Sequence, residues 1–180
     1  MLDPKQAVLV VVDVQGKLAG LMHEKEALFE NVARLVRGCR ALGVPVVWAE
    51  QNPKGLGPTV PEVAAAMPEG AAPIPKMSFS CCGEPRLLKA LEATGRRQAL
   101  ICGIETHVCV YQTAADLRAR HYDVQVVADA VSSRKPSNRD LALARLALGT
   151  AELTSVEMAL FEMLRTAEAP AFKEVARLVK

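Results

Sequence analysis

Three residues of different chemistry stand at three places where the chain leaves an apolar segment: Asp13, Lys76 and Cys109. Asp13 ends the run Ala7 to Val12, and Lys76 follows the stiff segment Pro73-Ile74-Pro75. Cys109 comes seven residues after the apolar stretch Gln98-Ala99-Leu100-Ile101-Cys102, at the start of a helical pattern with Thr106 as its N-cap. A thiol is a nucleophile only as the thiolate, and a free cysteine titrates near ~8.5. Backbone N–H groups and the positive end of a helix dipole favour the thiolate at such a position. The same N–H groups can hold an oxyanion. Asp13 can take the thiol proton and return one to a leaving group. Lys76 favours both anions by its charge. The expected product is a thioester acyl-enzyme, released by water.

Each residue also has a plainer reading. An aspartate at a strand end caps turns, a loop lysine is usually solvated, and a buried cysteine packs as a small hydrophobe. Cys39 and Cys102 carry only that last reading, and Cys82 is expected to be packed. Ser80 and Cys81 follow the lysine and are candidates for substrate contact. His107, two residues from Cys109, points away from it at helical spacing and is expected to be a supporting or exposed residue.

For these groups to meet, the elements must bring one end of several strands together. Ala7 to Val14 is a continuous β-branched run, the pattern of a strand buried on both faces. Further strands are read at Val44 to Ala49, Gln98 to Cys102, Val124 to Ala128 and Ala151 to Leu153. Helices are read at Lys25 to Leu42, Pro85 to Thr94, Thr106 to Arg120, Arg139 to Leu148, Ser155 to Leu164 and Phe172 to Val179. Ser132 to Ser137 reads as a turn. Repeated strand–helix units with short joins predict an α/β fold: a doubly wound parallel sheet covered on both faces, in one domain spanning residues 1–180. Ligands bind beyond the carboxyl ends of such a sheet. Gln51 to Pro75 is rich in Pro and Gly, with one short helix near Val60 to Met67, and is a candidate substrate-covering loop.

Composition narrows the classes. Over 180 residues, 51% are apolar and 4% aromatic, and the formal charge is +2. The short basic pieces Arg96-Arg97 and Arg134-Lys135 are isolated, so no nucleic-acid footprint is expected. No stretch approaches the ~20 apolar residues of a membrane span, and no signal-peptide pattern opens the chain. The five cysteines are odd in number and lack metal spacing, which predicts reduced thiols in a cytoplasmic protein.

The segments Val11-Val12-Asp13-Val14-Gln15, Pro75-Lys76-Met77-Ser78-Phe79-Ser80, Gly103-Ile104-Glu105-Thr106-His107-Val108-Cys109-Val110 and Val127 to Arg134 together resemble the isochorismatase-like (cysteine hydrolase) superfamily. Glu50 to Gly57 and Ser80-Cys81-Cys82-Gly83 are similar to its isochorismatase domain-containing branch. The resemblance implies a three-layer α/β/α fold with a six-stranded parallel sheet, and Asp13, Lys76 and Cys109 as the catalytic triad. It also implies a cis Ile104–Glu105 peptide, with the Glu105 and Cys109 N–H groups as the oxyanion hole, and a homo-oligomer. Gln15, Trp48, Gln51, Leu56, Phe79 and Tyr111 are candidates to line a small-molecule pocket.

Relatives that hydrolyse nicotinamide carry an Asp and His metal cluster. Here His23, His107 and His121 are scattered, so neither a metal nor another cofactor is expected. True isochorismatases, which cleave a vinyl ether, lack a cysteine at the position of Cys109. The expectation is therefore a hydrolase of a small amide-like or related acyl metabolite, amidase-like in class. Vinyl-ether hydrolysis is an alternative. So is a catalytically silent interaction protein using the Leu141 to Leu148 helix surface. A nucleotide-binding domain is a third, but no Gly-x-Gly-x-x-Gly follows the first strand.

Overall fold

A computed structural model describes residues 1–180. In chain order its elements are β1 (Ala7–Val12), α1 (Gly16–Ala19), α2 (Lys25–Ala41), β2 (Val46–Gln51), α3 (Pro53–Leu56), α4 (Pro61–Ala64), β3 (Ile74–Lys76), α5 (Pro85–Ala93), β4 (Gln98–Ile104), α6 (Tyr111–Ala119), β5 (Asp123–Ser132), α7 (Pro136–Ala147), β6 (Glu152–Thr154), α8 (Val156–Leu164) and α9 (Phe172–Leu178). A short 3₁₀ turn at Cys81–Gly83 precedes α5, and a π-helical turn at Thr106–Val110 runs into α6. All six strands are parallel, in the order β3-β2-β1-β4-β5-β6.

Every residue of β1 is buried, and its side chains alternate between two cores. Ala7, Leu9 and Val11 pack under α2, α8 and α9, while Val8, Val10 and Val12 pack under α5, α6 and α7. This two-sided burial is why β1 reads as an unbroken aliphatic run instead of an alternating one. Helix α2 contributes Leu28, Val32, Leu35, Val36 and Cys39 to the first core, at the spacing of one helical face. Gly43, in the left-handed region at φ 68°, ends its turn. Pro85 opens α5, and the Glu84 side chain caps it by accepting from the Arg86 N–H.

Several boundaries differ from the sequence reading, for local physical reasons. Strand β1 stops at Val12 because Asp13 turns into the left-handed region at φ 53°, which a short polar residue tolerates better than a valine would. Strand β2 begins at Val46, since Pro45 has no N–H to give to the ladder, and it runs on through Gln51 because β3 pairs beside it. Lys76 is therefore the last residue of a paired edge strand, opposite Gln51, and not part of a loop. Helix α7 begins at Pro136, three residues earlier than read. Strand β5 extends to Ser132 through an irregularity: Ile101 is opposite Val126, but Gly103 is opposite Val131.

Gly103 permits that irregularity. It sits at φ 116°, and a Cβ there would lie 2.0 Å from the Val12 carbonyl oxygen. Strand β4 passes β1 too closely for any side chain at this point. Gly103→Ala is expected to destabilise the protein by about 3 kcal/mol or more, through backbone displacement and an unfavourable φ. Gly43→Ala, where nothing lies within 4 Å of the added carbon, should cost only about 1 kcal/mol. Urea denaturation of the two variants separates the effects.

Candidate active site

The strand order reverses at the β1–β4 pair, where β2 and β3 extend to one side and β5 and β6 to the other. Outside the carboxyl ends of strands at such a switch point, an open parallel sheet forms its ligand crevice. Asp13 leaves β1 there, and Cys109 follows β4. Lys76 reaches in from β3. Its Nζ donates to Asp13 Oδ2 at 2.7 Å, to Gln51 Oε1 at 2.7 Å, and to the carbonyls of Phe79 at 2.9 Å and Ser78 at 3.1 Å. Four acceptors around one nitrogen suit an ammonium, which has three donors and no acceptor. Both side chains of the ion pair are almost wholly out of solvent. Removing one partner of such a pair strands the other as a buried charge, at a cost of about 3–5 kcal/mol.

Asp13 Oδ1 is buried and has no hydrogen-bond partner. The Cys109 thiol lies beside this carboxylate and stabilises it, without meeting the geometry of a formed hydrogen bond. Oδ1 is thus an open acceptor on a carboxylate that neighbours the Cys109 thiol. Burial pushes the Asp13 carboxyl above its usual range, against the opposing charge of Lys76. Burial, then the negative charge of Asp13, pushes the Cys109 thiol up to about 12, while Lys76 works in the other direction. Lys76 favours the thiolate, as the sequence reading expected, but burial and the Asp13 carboxylate, which that reading did not weigh against the thiol, act the other way. The low-dielectric surroundings and the adjacent carboxylate both favour the protonated thiol.

The turn carrying Cys109 also differs from expectation. Glu105, with extended backbone, is the N-cap residue, and Thr106 is already inside the π-helical turn. Thr106 therefore caps nothing, and its buried Oγ1 has no partner. The Ile104–Glu105 peptide is cis. The Glu105 carbonyl accepts from the N–H groups of Val108 and Val110, while the Glu105 N–H donates to no backbone oxygen. The Glu105 carboxylate is held by Arg134, whose backbone N–H lies 3.0 Å from Oε2 and whose Nε lies 3.1 Å from the same oxygen.

With this geometry in view, the relatives are informative. The isochorismatase domain matches residues 7–158. Isochorismatase domain-containing protein 2 of Danio rerio is 40% identical, over 99% of this chain and 89% of the relative. The chain belongs to the isochorismatase family. Among solved structures, a MAR1 ribonuclease from Caenorhabditis elegans superposes with a TM-score of 0.93 at 35% identity, over 99% of this chain and 91% of the other. The YcaC gene product of Escherichia coli, described as an octameric hydrolase of unknown specificity, gives 0.91 at 28% identity, over 98% and 88%. The chain is an isochorismatase-like hydrolase by family.

The other residues predicted to line the pocket of this isochorismatase-like protein divide into two groups. Gln51 and Phe79 lie at the lysine. Gln51 bridges Lys76 Nζ and, through Nε2, the Met77 carbonyl at 2.8 Å, so its amide positions the lysine. Phe79 gives its carbonyl to Lys76 and leaves its side chain 54% exposed. The remainder serve the framework. Gln15 is fully buried, and its amide is spent on backbone groups: it accepts from the Gln51 N–H at 2.6 Å and donates to the Gly57 carbonyl at 2.8 Å. Trp48 donates to Thr59 Oγ1 at 2.9 Å and packs against the α2 core. The ring of Tyr111 lies under the Arg145 guanidinium of α7, at 4.8 Å. Leu56 closes α3.

Residues missed from the sequence include Glu50 and Thr59. Glu50 Oε1 accepts from both the N–H and Oγ1 of Thr59. With Gln15 and Arg40, which donates to the Ala66 carbonyl at 2.9 Å, they pin the 51–75 segment down. That segment is a braced wall and not a free cover. His107 is occupied away from the thiol, with Nδ1 3.0 Å from Ser133 Oγ and Nε2 3.3 Å from Asn138 Nδ2. No three acidic, histidine or cysteine side chains converge as a metal-ligand set. A hollow of about 700 Å³ lies at the amino ends of β4 to β6, between Gln98 and Leu153, and is lined by none of these residues.

The charge relations set opposite outcomes for two variants. Asp13 raises the Cys109 pKa and Lys76 lowers it. At pH 9, Asp13→Asn should therefore be alkylated by iodoacetamide at Cys109 faster than the wild type, and Lys76→Met more slowly. The wild-type rate should keep rising with pH beyond 10, where an ordinary thiol has levelled off. Mass spectrometry of the modified peptide reads each rate.

Proposed function

We propose that this protein is a cysteine-dependent hydrolase of a small amide-like metabolite, with Cys109 as nucleophile, Asp13 as general base and acid, and Lys76 as a fixed countercharge. The observation that carries this reading is the buried Asp13 carboxylate next to the Cys109 thiol, with Oδ2 tethered by Lys76 and Oδ1 unpartnered. One oxygen holds the carboxylate in place and the other is free to move a proton.

Because the thiol holds its proton at rest, attack and deprotonation are coupled. As Cys109 Sγ bonds to the acyl carbon, its proton passes to Asp13 Oδ1. The carbonyl oxygen gains negative charge and is met by the N–H groups of Glu105 and Cys109. Asp13 then gives its proton to the departing amine, and the C–N bond breaks. Water, deprotonated by Asp13, attacks the thioester, and the sulfur leaves with a proton restored from Asp13. Lys76, enclosed by four oxygens, keeps the Asp13 carboxylate ionised between transfers and passes no proton itself.

The amide reading is favoured over vinyl-ether cleavage by the cysteine at position 109, since acyl transfer is the chemistry a thiol nucleophile serves. The ribonuclease description of the worm relative belongs to that protein; a formal charge of +2 spread over this chain gives little support to an RNA surface here. An assembly of several copies is in keeping with the octameric YcaC relative.

Cys109→Ala should abolish turnover of any amide the protein hydrolyses while leaving its circular dichroism spectrum intact. Retained turnover would sink the thioester mechanism. The acid limb of kcat/KM should lie above the ordinary carboxylate range, because the ionised form of Asp13 is the base and burial raises its pKa. In Lys76→Met the limb should move higher still, since the charge that lowers Asp13 is gone.

A further inference from the structure

Ser132 ends β5, and Ser133 and Arg134 follow it beside the cysteine turn because of the irregularity between β4 and β5. Ile101 is opposite Val126, and at that register Ile104 would face Asp129. Instead Ile104 is opposite Ser132. The extra residues of β5 carry Ser133 and Arg134 alongside Glu105 and His107.

Two side-chain ties run from this corner to the cysteine turn, one on each side of Thr106. Arg134 holds the Glu105 carboxylate through its backbone N–H at 3.0 Å and its Nε at 3.1 Å. Ser133 Oγ lies 3.0 Å from His107 Nδ1. A further ring contact sets the tautomer. Asn138 Nδ2, on α7, lies 3.3 Å from His107 Nε2. An amide nitrogen only donates, so Nε2 accepts, and the ring proton is on Nδ1, facing Ser133 Oγ.

The same corner is gripped from the side of Asp13. Beyond Asp13 and α1 the chain turns at His23, whose backbone N–H donates to the Ser133 carbonyl at 3.1 Å. Ser132 Oγ donates to the His23 carbonyl at 2.7 Å. Ser133 is wholly buried, so these bonds do not compete with water. Its carbonyl thus ties the segment that leaves β1 with the base, and its hydroxyl ties the turn that carries the nucleophile. Proton transfer needs the two heavy atoms within ~3.2 Å, or one water between them. The spacing of these two elements is therefore what the reaction depends on.

We propose that His107 and Ser133 are positioning residues, whose hydrogen bond holds the Cys109 thiol against the Asp13 carboxylate. The inference rests on Asp13 serving as the base for Cys109. His107 faces away from the sulfur and moves no proton. Its neutral ring acts as a strut between the nucleophile's turn and the corner that Asp13's own segment grips.

The test is a double-mutant cycle on the intact protein, read as the rate of Cys109 alkylation by iodoacetamide at pH 9. The S–C bond forms, iodide leaves, and the thiol proton goes to solvent. Cys39 and Cys102, both fully buried in the α2-side core, report any general loosening by becoming labelled. Asp13→Asn should speed labelling of Cys109 in the wild-type background. In the Ser133→Ala background the same substitution should speed it by a factor at least about twofold smaller, the coupling expected within one hydrogen-bond network. Equal factors in the two backgrounds overturn the strut and leave the Asp13–Cys109 reading standing. No acceleration by Asp13→Asn in the wild-type background overturns that reading, and the strut with it. Should Asp13→Asn expose Cys39 or Cys102, a second pair of variants decides with Asp13 in place. His107→Asn, whose amide nitrogen takes the place of Nδ1, should label Cys109 at the wild-type rate. His107→Leu, which has no donor, should label it at least about twofold faster, with Cys39 and Cys102 still protected. Equal rates for these two variants overturn the proposal.

Discussion

The carboxyl edge of this sheet is organised around one buried ammonium. Lys76 has its charge inside the protein, and a charge taken out of water must be answered by fixed oxygens. Asp13, Gln51 and two carbonyls of the following loop supply them. Each of those oxygens needs its own support. Gln51 is gripped on its backbone by Gln15, Gln15 ties in Gly57, and Glu50 ties in Thr59. The 51–75 segment is thereby folded down against β2 and α2 by bonds that adjoin those holding the lysine. Placing one cation has dictated the conformation of some twenty-five residues of irregular chain.

The sheet contributes what side chains alone cannot. Lys76, Asp13 and Cys109 follow three different strands, and parallel pairing puts the ends of those strands level. Gly103 lets β4 approach β1 closely enough to set the cysteine turn next to Asp13. Strand order reverses at this pair, the place where open parallel sheets bind ligands, while helices on both faces seal the cores beneath.

The residues of the candidate triad were legible in the sequence because each ends or follows a strongly patterned segment, and chemistry of type can be read without coordinates. The parallel sheet was legible for a similar reason: β1 is apolar on every residue, which only two-sided burial explains. What was not legible depends on distance in space. No pattern marks Gln15 as a clamp for the backbone at Gln51, because its amide could equally have faced a ligand. Thr106 has the type of an N-cap, but the turn begins one residue earlier than that role requires. Two influences on Cys109 were out of reach, since sequence position reveals a helix start but not the depth of burial or a carboxylate from another strand. Arg134 lay inside a recognised segment, yet its bond to Glu105 joins residues 29 apart in sequence.

Burial of Cys109 beside a negative charge has a consequence for durability. Oxidation of a cysteine proceeds through the thiolate, so a thiol whose burial pushes its pKa up presents little of itself to peroxide at neutral pH. The same burial shields the Cys109 thiol from the small oxidants that damage exposed, low-pKa cysteines, and keeps it reduced in surroundings where a free thiolate would be consumed.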